Sequence, residues 1–90
     1  MQERFKAWVT RYALTDGVLT GEAEVSEQSP DMIRFFWGNP EGMFYVHGND
    51  WHRAEEAAIK RAEEMRTRKI ASLRKQITKL EAMTFEKKAP

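Results

Sequence analysis

Apolar and polar residues alternate through much of the first half of the chain, and this period of two predicts β-strands. The alternation covers residues 5–14, 18–25, 32–37 and 43–47. In the second segment Leu19, Ala23 and Val25 point to one side, and Thr20 and Glu22 point to the other. A strand divided in this way is typical of an antiparallel sheet with one face open to solvent.

Two turn motifs join these segments in pairs. Asp16 and Gly17 tolerate the positive φ angles that a tight hairpin turn requires. Residues 39–42 read Asn-Pro-Glu-Gly, with proline second and glycine fourth, as a type I turn prefers. Two consecutive hairpins predict a meander of about four antiparallel strands.

The pattern changes after residue 50, because the chain from Trp51 to Met83 contains neither glycine nor proline. Such a run predicts one long helix, and Asn49 or Asp50 is suited to cap its first turn. The expected organisation is an α+β fold in a single domain over residues 1–90. It comprises a sheet part at 1–48, a long helix at 50–84 and a flexible tail at 85–90.

The predicted helix is long for the body that carries it. A helix over 51–83 would measure about 50 Å, whereas a compact chain of this length has a diameter of roughly 30 Å. The helix therefore either kinks near residues 66–69 or packs its far end on something other than its own sheet.

The apolar residues of the helix form two sections of different character. The first section contains Ala54, Ala58 and Ala62, whose small side chains suit close packing against a sheet. The direction in which the apolar residues point then rotates by about 80° around the helix axis. The second section consists of Ile70, Leu73, Ile77 and Leu80.

Ile at the a positions and Leu at the d positions of a heptad favour a two-stranded coiled coil. We therefore expect the second section to bind a second copy of the chain in a homodimer, or a partner helix. The section covers less than two heptads, so a helix that folds back over its own sheet is the alternative.

Charge is distributed unevenly, although the 15 basic and 14 acidic residues leave a formal charge of only +1. Residues 1–50 carry four basic and eight acidic groups, a net −4; residues 51–90 carry eleven and six, a net +5. One helix face, opposite the apolar section, aligns Arg61, Arg68, Lys75 and Lys79. This basic stripe would contact an acidic protein surface or a phosphate backbone, or would be simply solvated.

The candidate chemistry of the chain is sparse. There is no cysteine to form a disulfide or a zinc site, and the two histidines, His47 and His52, lie in no recognisable catalytic or metal-binding motif. We expect no enzyme activity, no cofactor and no metal.

No segment suggests a signal peptide or a membrane span, so a cytoplasmic location is expected. The many aromatic residues, such as Phe35, Phe36 and Trp37, suit a core or a partner surface better than base stacking.

Several segments resemble small uncharacterised proteins of phages and bacterial prophages. The similarity rests on residues 8–17 (WVTRYALTDG), 54–57 (AEEA), 62–66 (AEEMR) and 69–73 (KIASL). This resemblance implies a non-enzymatic protein that occupies a surface on a host or phage protein, including components of host defence, in the host cytoplasm.

Three functions are therefore open. The leading one is an accessory protein that binds a host or phage protein stoichiometrically, with the basic stripe as the electrostatic face and Ile70, Leu73, Ile77 and Leu80 as the self-association surface. The second is nucleic-acid binding through the basic face of the helix. The third is a structural dimer within a phage assembly.

Overall fold

A computed structural model describes residues 3–37 and 42–87. It confirms the α+β fold, with an antiparallel sheet followed by one long C-terminal helix. The sheet has five strands in the order β4-β3-β2-β1-β5, with every neighbouring pair antiparallel. The elements are β1 (Phe5–Val9), β2 (Leu19–Val25), β3 (Met32–Phe36), β4 (Met43–His47), β5 (Trp51–His52) and α1 (Glu55–Glu81). The type I turn predicted at 39–42 lies largely outside the described residues.

One face of the sheet forms the core, as the alternation in the sequence predicts. Residues on this face pair across the strands, with Ala23 opposite Phe35 and Ile33 opposite Val46. Burial of this apolar surface is the main stabilising contribution. The fully buried core residues are Ala7, Val9, Ala23, Ile33, Phe35 and Val46.

The first strand is shorter than the predicted 5–14, because β1 ends at Val9 and the chain then turns repeatedly. The amides of Ala13 and Asp16 donate to the carbonyls of Thr10 and Tyr12, at 3.0 and 2.8 Å. Residues 10–18 thus form a connection much longer than the tight hairpin that Asp16 and Gly17 predict. Gly17 does adopt the positive φ, at 88°.

Apolar and polar residues alternate in the connection at 10–18, as they would in a strand, because its apolar side chains cover part of the core. The ring of Tyr12 meets the ring of Phe44 edge-on, with centroids 6.1 Å apart. Leu14 and Ile59 of α1 line the same depression between the connection and the helix. The apolar residues of this segment are therefore explained by packing over the sheet rather than by pairing within it.

The helix begins at Glu55, later than residue 50, and neither Asn49 nor Asp50 caps it. Residues Gly48–Asp50 form a 3-10 turn, and β5 then pairs with the free edge of β1. The indole of Trp51 donates to the Asp31 carbonyl at 2.8 Å. This bond and the strand pairing hold residues 51–52 extended, so they are not available as a first helical turn.

Candidate interaction surfaces

Only the start of α1 packs on the body of the protein. Ala58 is completely buried, Ala62 is half-buried, and Ala54 is exposed. The helix contacts β1 and β5 at one edge of the sheet. The small alanine side chains allow this close approach, as their positions in the sequence predict, but Ala54 takes no part in it.

The rest of the helix projects away from the sheet. Every residue from Arg66 to Glu81 is exposed, and the molecule measures 66 × 33 × 24 Å. The alternative of a helix folded back over its own sheet is therefore wrong for the single chain. We call residues 66–81 the projecting segment.

The projecting segment carries a continuous row of exposed apolar side chains on one side. Their exposed fractions rise towards the helix end, from 41% at Ile70 and 42% at Leu73 to 55% at Ile77 and 64% at Leu80. We call these four residues the apolar seam. The described residues leave all four side chains exposed, so the seam is the largest continuous apolar feature that the projecting segment offers to another molecule.

A shallow notch lies at the base of the projecting segment, where the 10–18 connection meets the helix. Leu14 and Ile59 line it, and both remain nearly half exposed, at 47% and 44%. Ala62 continues the apolar wall, and Glu63 and Arg66 form the rim. The notch lies on the same side of the helix as the seam, because Ile59 and Ile77 are 18 residues, five full turns, apart.

The four residues of the basic stripe do not share one environment. Arg68, Lys75 and Lys79 are exposed on the projecting segment. Arg61 is half-buried at the body, and its Nε is buried without a hydrogen-bond partner among the described residues. The electrostatic face available to a large partner is therefore Arg68, Lys75 and Lys79, with Arg61 set apart.

Arg61 belongs instead to a small polar cluster that the sequence did not reveal. Thr10 is completely buried, and its Oγ1 lies 3.1 Å from Nε2 of His52. Burial is the main cause that lowers the pKa of His52; the charge of Arg61 lowers it further, and Asp50 opposes the shift. His52 was expected at the start of the helix, but it belongs to β5, where it pairs with Trp8 of β1. Only the pairing of β1 with β5 brings Thr10 and His52 together.

The second face of the sheet is open to solvent and lined by charges and aromatic rings. Arg4 binds Glu22 at 3.1 Å and lies over the Phe36 ring at 4.3 Å. Lys6 lies over the Trp8 ring at 5.3 Å. These aromatic faces already carry cations of the same chain, so they are not bare platforms for a ligand.

In the part of the chain that the structure describes, no group of three or more His, Asp or Glu side chains is placed to hold a metal ion. Over the same residues, no helix combines the length and the apolar content that crossing a membrane requires.

Comparison with known proteins finds no family model, no curated protein and no solved structure that matches this chain. The resemblance to small phage and prophage proteins stays a prediction from sequence.

Proposed function

We propose that this chain is a small non-enzymatic protein that acts by stoichiometric protein binding through its projecting segment. The observation that carries the proposal is the exposed apolar seam on a helix that leaves the body of the fold. Exposed apolar rows of this kind in a polar surrounding are typical of protein-binding surfaces. The phage-type resemblance supports a host or host-defence protein as the partner.

In this proposal the chain is a homodimer through the seam, and Arg68, Lys75 and Lys79 contact an acidic surface of the partner. The two surfaces lie on opposite sides of one helix, so a dimer would still present both sets of cations. A structural dimer in an assembly would use the same seam without the electrostatic contact.

Replacement of Ile77 with Asp tests the seam, because a charge buried there without a partner is costly. We expect the wild type to scatter light as a dimer at high micromolar concentration and the Ile77→Asp variant as a monomer. Thr78→Asp is the matched control: it adds the same charge at the next residue, away from the seam, where the exposed Thr78 hydroxyl donates to the Arg74 carbonyl of the same helix at 3.0 Å. A monomeric wild type would contradict the homodimer.

Nucleic-acid binding is the second candidate, favoured by the row of three exposed cations. Direct binding assays separate the two functions, and a variant with Arg68, Lys75 and Lys79 replaced by Glu shows in each assay whether the three cations make the contact. If the chain binds DNA or RNA, the wild type should bind a labelled oligonucleotide at low salt with a steep dependence on salt concentration. Binding to neither nucleic acid, combined with capture of a protein partner by the wild type but not by the Glu variant, would favour protein binding.

A further inference from the structure

The seam and the notch are two apolar patches on the same side of the helix. Two further large apolar residues are exposed beyond the end of the helix. Met83 is 49% exposed and Phe85 is 87% exposed, the highest value among the large apolar side chains that the structure describes. At roughly 200 Å² for a fully exposed side chain of this size, seam, notch and these two residues expose on the order of 800 Å² per copy. That is about what each partner contributes to a stable interface.

We propose that two copies bind antiparallel along the seam and that Phe85 of each copy occupies the notch of the other. The proposal rests on the self-association proposed above and specifies its orientation and its second contact. The occupant of the notch is thus a segment of a second copy of this chain.

Charge favours the antiparallel orientation. Between Met65 and Met83 the chain has six basic residues and a single acidic one, Glu81. A parallel pair would place identical basic segments side by side, with Lys69 and Arg74 of opposite copies flanking the seam as like charges. A parallel pair contains two such like-charge contacts, whereas an antiparallel pair contains one, between the two copies of Arg74, and places Glu81 at the level of Lys69 of the second copy.

The seam also has a register in which every apolar residue meets another. Pairing Ile70 with Leu80 and Leu73 with Ile77 fills all the layers with Ile and Leu. In that register Ala82 lies level with residue 68 of the second copy. The next three residues, extended at about 3.3 Å each, span roughly the length of seven helical residues at about 1.5 Å each. Phe85 therefore reaches the level of Ala62, where the notch opens.

The chain has no cysteine, so single introduced cysteines report the orientation directly. When Ile70→Cys and Leu80→Cys are mixed and oxidised, we expect the 70–80 heterodisulfide to predominate over either homodisulfide. Ser72→Cys, exposed on the other side of the helix, should cross-link little. Rapid homodisulfides at 70 and at 80 would overturn the antiparallel arrangement but leave self-association intact. A monomeric wild type by light scattering would overturn both proposals.

The notch contact is tested separately by the dimer dissociation constant. We expect Phe85→Ala and Leu14→Ala each to raise Kd by about 5- to 50-fold, since each removes one side of a buried apolar contact. The double variant should raise Kd by less than the product of the two effects, because both changes remove the same contact. Tyr45→Ala, half exposed on the open face of the sheet, is the control and should leave Kd unchanged.

Two results would overturn the notch contact: an unchanged Kd for Phe85→Ala, or a double variant whose effect equals the product. Phe85 is almost fully exposed in the single chain, so its replacement tests binding without disturbing the fold. Circular dichroism of Leu14→Ala checks that the 10–18 connection keeps its structure.

Discussion

At the scale of single residues, the close approach of neighbouring strands leaves room for only one residue type at some positions. Gly21 lies on the core face of β2, opposite Ala7. A Cβ atom there would lie 2.9 Å from the Phe36 carbonyl oxygen and 3.2 Å from the Phe35 ring. The missing side chain lets the buried Phe35 ring pack directly against the strand.

We expect Gly21→Ala to lower the free energy of unfolding by about 1–3 kcal/mol, because the backbone oxygen cannot move without shifting β3. Urea denaturation followed by tryptophan fluorescence measures the change. Thr20→Val, exposed on the other face of the same strand, should change stability by no more than about 0.5 kcal/mol. Equal values for the two variants would contradict the close contact.

The polar cluster at His52 should make stability depend on pH. Burial and Arg61 lower the pKa of His52 below its ordinary 6.5 in the folded state. The unfolded chain therefore binds this proton more readily, and the free energy of unfolding falls as the pH is lowered from neutral through 6.5. The stabilisation that His52 contributes in its neutral form is fully present well above pH 6.5. It is lost once the pH falls below the pKa of His52 in the folded state.

The measurement is urea unfolding at pH 7.5 and 5.5. We expect His52→Gln to flatten the dependence, since glutamine does not titrate. His47→Gln replaces the exposed histidine and should leave the slope as in the wild type. If His47→Gln flattened the slope and His52→Gln did not, the assignment to the half-buried His52 ring would be wrong.

At the scale of elements, one small contact ties the long helix to the sheet. Ala58 is the only helix residue described as fully buried, at 0% exposure, while Ala57 beside it is exposed. The packing of the helix on β1 and β5 therefore depends on Ala58, whose small side chain lets the helix backbone approach these strands closely.

We expect Ala58→Leu to destabilise the protein by about 1–3 kcal/mol, because the larger side chain has no space at this contact. Ala57→Leu adds the same atoms one residue earlier, on the exposed side, and should change stability by no more than about 0.5 kcal/mol. Thermal unfolding of both variants at equal concentration makes the comparison. Similar melting temperatures would show that the helix does not pack through Ala58.

At the scale of the whole molecule, the projecting segment determines the shape. The Cα radius of gyration is 19.2 Å, whereas a compact chain of this length would have about 12 Å. A helix that leaves the body gains no tertiary packing for its far half. Its stability there depends on intrinsic helix propensity and, in our proposal, on a second copy.

Small-angle X-ray scattering of the Ile77→Asp variant tests this shape, since we expect that variant to be monomeric. Its radius of gyration should be close to 19 Å, as the single chain shows. A value near 12 Å would mean that the helix folds back over its own sheet in solution. Thr78→Asp should give the scattering of the dimer.

The sequence alone predicted what depends on local period and composition. Alternation at a period of two located β2, β3 and β4 closely, and the run without glycine or proline located the helix to within a few residues. The heptad spacing of Ile70, Leu73, Ile77 and Leu80 placed them on one side, and helix length against body size predicted that they project.

Tertiary structure decided what depends on contacts between distant parts of the chain. Residues 10–14 alternate as a strand does, yet β1 ends at Val9 and these residues fold over the core, where the Tyr12 ring meets the Phe44 ring. Trp51 and His52 suit a helix locally, but the edge of β1 and the Asp31 carbonyl hold them extended. The pairing of β1 with β5 joins Thr10 to His52. Arg61 is half-buried near this pair, whereas the other cations of the basic stripe are exposed. Local pattern is blind to such pairings, because their energy comes from partners far apart in sequence.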